Sequence, residues 1–133
     1  MRKPLLAACL GLLLFAACAL SATTHTVTFT FNYDFTTDNA CSSTVTTGCV
    51  QKFNWYDNTT GIPVLIFSTT TPAGANTSMT GLQAVSPPLT LKAGNHTFYG
   101  TAVMADGTES TPSNSVTGKV KPNSPVITAL GAQ

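Results

Sequence analysis

Four cysteines, two histidines and five carboxylates are the chain's supply of thiol, imidazole and acid side chains for metal binding or acid–base chemistry. No CxxC or HExxH spacing joins the cysteines and histidines, and no G-x-S-x-G, phosphate-loop or dinucleotide fingerprint occurs. His25 and His96 stand next to neither a nucleophile nor a thiol in sequence. The chain is therefore expected to be no enzyme and to carry no cofactor and no metal held by its thiols. The carboxylates fall in two groups, Asp34 and Asp38 with the amide of Asn39, and Asp106 with Glu109, while Asp57 stands apart. Together the two groups offer part of the six or more oxygens a hard cation needs. They are a candidate loop ligand or cation site, although no EF-hand-like or repeat-type calcium pattern accompanies them. Nothing marks an aromatic cleft between two acids, as glycoside hydrolysis would need.

Only 8% of the residues are charged, and the formal net charge is +1. No basic patch of the kind that binds nucleic acid or an anionic membrane is visible. The cysteine arithmetic depends on the N-terminus. Arg2 and Lys3 precede an unbroken apolar run over residues 5–20, closed by Ser21 and Ala22. This is the pattern of a secretory signal peptide spanning residues 1–22; the run falls short of the ~20 apolar residues that cross a bilayer. Phe15-Ala16-Ala17-Cys18 also resembles a bacterial lipobox, which makes Cys18 a candidate lipidation site and a lipid anchor at the cell surface or outer membrane the alternative to release. Removal of residues 1–22 leaves Cys41 and Cys49, and in an exported chain this close pair predicts a disulfide. Closing that loop is worth about 2.5 kcal/mol in the chain-entropy picture.

The elements that must position these groups are strands. The 24 threonines favour extended structure. Over residues 27–35, Val27, Phe29, Phe31, Tyr33 and Phe35 share one parity and polar residues the other, which predicts a half-buried strand. The aromatic face is expected to be a sandwich core, not a carbohydrate-stacking platform. Further strands are expected at residues 50–56, 62–67, 79–85 with 89–91, 96–104 and 114–121, with a loop over 68–78. Pro63 cannot donate to a ladder, so the third strand is expected to start at an edge or outside the sheet. Strands at this spacing, punctuated by Gly, Pro and Asn, predict an all-β, two-sheet sandwich over residues 23–121 and a tail over 122–133.

The stretch L-T-L-K-A-G-N-H-T-F-Y-G-T-A-V-M-A-D-G-T-E-S-T-P-S-N-S-V-T-G-K-V, residues 89–120, resembles the final strands of fibronectin type III and related bacterial immunoglobulin-like domains. Residues 50–61, with Phe53 and Trp55 two apart, look like the family's central strand and its following turn. The resemblance implies an immunoglobulin-like sandwich, with the Asp34–Asn39 loop and the Asp106–Glu109 loop at one end. Three features depart from the family. The tyrosine that locks a corner at the start of the penultimate strand is replaced by His96 or Phe98, so the lock is absent or made by imidazole. The tryptophan usual in the strand over 27–35 is missing, and no room remains for a first strand before it. Residues 122–130 look like a domain's opening segment at the wrong end, so a strand, a substitute for the missing one or a loose tail are all open readings. The expected role is a secreted or cell-surface binding or adhesion module for a protein or glycan; the alternative is a structural subunit that self-associates by strand addition.

Overall fold

The computed structural model describes residues 23–122. The signal-peptide reading of residues 1–22, the candidate lipidation of Cys18 and the strand or tail readings of 123–133 lie outside the described residues. Six strands and no helix make up the described chain: β1 (Thr28–Asp34), β2 (Val50–Asp57), β3 (Val64–Thr70), β4 (Ser78–Val85), β5 (Gly94–Met104) and β6 (Val116–Val120). They form two antiparallel sheets, a ribbon β1-β4 and a four-stranded sheet in the order β3-β2-β5-β6.

The alternation of β1 turns its aromatic face onto the larger sheet. Phe29 stacks on Trp55 at 4.8 Å between ring centroids and meets Phe98 edge-on at 5.4 Å. Phe31 packs edge-on against both Phe53 and Trp55 at 4.9 Å, and Tyr33 against Phe53 at 5.0 Å. Phe35, Val50, Phe53, Trp55, Phe67, Ala84 and Ala102 are buried between the layers. Trp55 fits because position 100 is glycine: a Cβ there would lie 2.7 Å from the indole. The indole N–H donates to the Thr69 hydroxyl at 3.0 Å, which satisfies the one polar atom the ring brings inside.

The strand boundaries differ from expectation where side chains decide them. β3 begins at Val64, after Pro63, and runs on to Thr70, because Ser68 and Thr69 each bond a β2 side chain. Residues 89–91 form no strand; Leu89 makes only an isolated bridge with His25. β6 starts two residues late, at Val116. Upstream of it, Ser110 and Ser113 hold the edge of β5 by backbone bonds to the Ala102 and Gly100 carbonyls, and their hydroxyls accept from the amides of the same two residues at 3.0 Å.

Candidate functional site

Strand directions put three connections at one pole: residues 35–49, 71–77 and 105–115. Cys41 and Cys49 are disulfide-bonded there. The bridged loop is tied to the second connection by Ala40 N–H to Ala75 O at 2.8 Å, and to the third by Ala105 N–H to Cys49 O at 2.9 Å. The two carboxylate-bearing loops thus share a pole, but their acids are spent locally. Asp34 accepts from the Thr36 amide and hydroxyl and from the Ser78 hydroxyl, and these bonds hold its carboxyl below its ordinary range. Asp106 accepts from the Thr108 amide at 2.8 Å and is lowered for the same reason. Asp38 and Asn39 are exposed, and the Asn39 carbonyl accepts from Val50 N–H. Among the described residues no three His, Cys, Asp or Glu side chains gather as a metal group. The set Asp34, Asp38, Asn39, Asp106 and Glu109 does not converge: Asp34 and Asp106 each close their own turn, Asp38 and Asn39 face solvent, and Glu109 turns to the sheet face.

Glu109 instead lies over the outer face of the four-stranded sheet. One of its oxygens accepts from Tyr56 Oη at 2.8 Å, from Asn54 Nδ2 at 3.1 Å and from the Thr101 hydroxyl. Thr101's bond is the leading reason that the Glu109 carboxyl sits below its ordinary range, while burial and the Glu109 bond push the Tyr56 phenol up. Behind it Ser68 donates to Asn54 Oδ1 at 2.7 Å. Tyr56 and Tyr99, opposite each other in register, stack at 5.1 Å. Leu65 is the β3 partner of Tyr56, and Ile62, Val64 and Leu65 are 72%, 57% and 49% exposed. Leu65 shares the face of the two tyrosines, whereas Val64, paired with Asp57, alternates to the other face. Sequence reasoning missed Asn54, Tyr56, Thr101 and Tyr99 as neighbours of Glu109. The shared parity of Tyr99 and Thr101 was visible, but the β2–β5 register that brings Tyr56 beside them was not.

His96 lies at the opposite pole, at the start of β5. It donates from Nε2 to the Lys92 carbonyl at 2.8 Å, four residues upstream, and from Nδ1 to Asp57 Oδ2 at 2.6 Å. A carbonyl and a carboxylate both accept, so the imidazole carries both protons. Desolvation opposes that charge, but the Asp57 bond, the Lys92 carbonyl and the Asp57 charge outweigh it and raise His96 above its ordinary value. Asp57 is lowered: burial works against it, and bonds from Thr59 and His96 prevail. The imidazole thus ties the start of β5 to the connection before it and to the end of β2.

One flank of the sandwich, between the outer edge of β1 and the 110–116 segment, is a groove of about 500 Å³. Compared with known proteins, the chain matches no family model, no curated protein and no solved structure.

Proposed function

We propose that the chain is a secreted or cell-surface, non-enzymatic binding module of the fibronectin type III kind, whose partner is a protein docking on the outer face of the four-stranded sheet. The fold assignment is supported by the two-sheet strand order of the described residues and by the bond from His96 to Lys92 near the start of β5. Export is supported by the Cys41–Cys49 bridge, since such bridges persist in oxidising compartments, and by the N-terminal apolar run. Anchoring through Cys18 is the alternative to release.

The observation that carries the binding reading is the surface where exposed Leu65 adjoins the Tyr56–Tyr99 pair and the triply bonded Glu109. Aromatic side chains with a fixed polar group at their rim are the composition of interface centres. The tyrosines lie face to face with each other, which leaves their edges outward and favours protein contact over sugar stacking.

The test is saturation binding of the labelled protein to whole cells of its source, with Leu65→Asp and Tyr99→Ala compared against Asp106→Asn at the loop pole. Binding should fall at least about tenfold for the first two, the loss expected of an interface anchor, and stay unchanged for the third. Loss only in the loop-pole variant rejects the face. The self-association reading is separated by size-exclusion chromatography over a concentration series, where a module stays monomeric.

A further inference from the structure

Beyond the binding face, the open flank has the dimensions and chemistry of a strand site. Ser86 N–H donates to the Val27 carbonyl, so Val27 and Ser86 form a hydrogen-bonded pair, and in the unbroken register that follows Phe29 with Ala84 and Phe31 with Leu82 do the same. The N–H and C=O groups of Thr28 and Thr30 therefore point away from β4, along the outer edge of β1, with no strand beside them among the described residues. Below that edge the groove is floored by Phe29, Phe31, Trp55 and Phe98 and walled by Ser113 and Val116, and no charged residue lines it. The β1 aromatics are only half-buried for this reason. An unpaired edge over an apolar floor is an association hazard unless something covers it.

We propose that residues 126–130 of the same chain occupy this groove as an additional strand, running parallel to β1. Three observations select this occupant. β6 ends where Val120 pairs with Gly94, at the pole where β1 begins, so the chain leaves the described fold beside the groove's lower mouth. The connection over residues 121–125 spans up to about 17 Å, enough to pass from one layer to the other, about 10 Å away. Residues 126–130, V-I-T-A-L, are apolar or β-branched, lie in a segment from 123 to 133 without a charge, and match in number the β1 edge from Thr28 to Asn32. A charged or helical ligand would find neither partner groups nor room.

The test compares the full chain with a variant ending at Pro122, by NMR amide exchange at Thr28 and Thr30 and by Trp55 fluorescence. In the full chain both amides should exchange at least about tenfold more slowly than in the variant, independently of protein concentration, and Trp55 emission should lie to the blue. A second variant keeps the length: Ile127→Asp with Thr128→Asp, of which alternation points one into the groove whichever face is inward. It should lose the same protection. Equal exchange in all three proteins overturns the proposal. So does protection that grows with concentration together with larger species, which would make the occupant a second copy.

Discussion

His96 shows how much one side chain can replace. Its two bonds join the 86–93 connection, the end of β2 and the start of β5, and its ring stacks on Phe98 at 5.8 Å. Because its pKa is raised in the folded state, the stability it contributes is complete below about pH 6.5, the ordinary histidine value, and is lost as pH rises through the higher folded value. Asp57, lowered in the fold, contributes above about pH 4 and loses its contribution as pH falls through its own folded value. Thermal melts from pH 5 to 9 should show a decline on the alkaline side that His96→Phe abolishes. At pH 6 the variant should be about 2 kcal/mol less stable. Gly100→Ala should cost about 1 to 3 kcal/mol in denaturant titration, because a Cβ there would lie 2.7 Å from the Trp55 ring and force it to shift. That His96 stands at the start of its strand was legible in the sequence, whereas its bonds to Lys92 and Asp57 were not. The placement of Glu109 was not, since its three partners come from strands β2 and β5, and only the pairing of those strands gathers them.

Among the elements, β1 was the most legible, because period two with five large residues on one parity has no other stable reading. Its pairing with β4 was hidden. The register slips between Phe31 and Tyr33, where Gly81 adopts φ +68° and donates its amide to Asn32 Oδ1 at 3.0 Å. That side chain fills the ladder position the bulge vacates, a relation between distant residues that no local pattern carries. The ends of β3 and β6 were misjudged for a similar reason: serine and threonine hydroxyls, which look like loop composition, bond into the sheet at Ser68, Thr69, Ser110 and Ser113. The disulfide acts on a loop whose ends are already held by Cys41 N–H to Val50 O and by Val50 N–H to Asn39 O. Reduction should therefore lower stability by about 2.5 kcal/mol and accelerate exchange in residues 41–49, while far-UV circular dichroism stays that of the strands. Loss of the strand signal on reduction would show that the sandwich depends on the bridge.

At the scale of the whole molecule, the two sheets differ in how they are assembled. The larger is built around β2 and β5, which are paired on both sides, whereas β1 and β4 pair only with each other and lie far apart in the chain. Hydrogen exchange read by mass spectrometry should find the slowest amides in β2 and β5, with β1 and β4 opening earlier; the reverse order would place the stable core in the ribbon. The all-β layout was legible because Gly, Pro and Asn punctuate each turn, while sheet membership was not, since it depends on contacts between segments distant in sequence. Residues 23–27 bridge to the 86–93 connection, and Val120 ends beside Gly94, so the described chain enters and leaves at the same pole. A fixed attachment ahead of residue 23 would hold the body like a lamp on its base, with the disulfide-bridged loop and its two neighbours at the far tip. Tension applied between residues 23 and 122 would not run through the length of the sandwich; it would unzip the bonds at that pole one after another, so a chain ending at Pro122 should yield at low force, whereas residues 126–130 seated along β1 would carry the C-terminus to the far pole and load their bonds in shear.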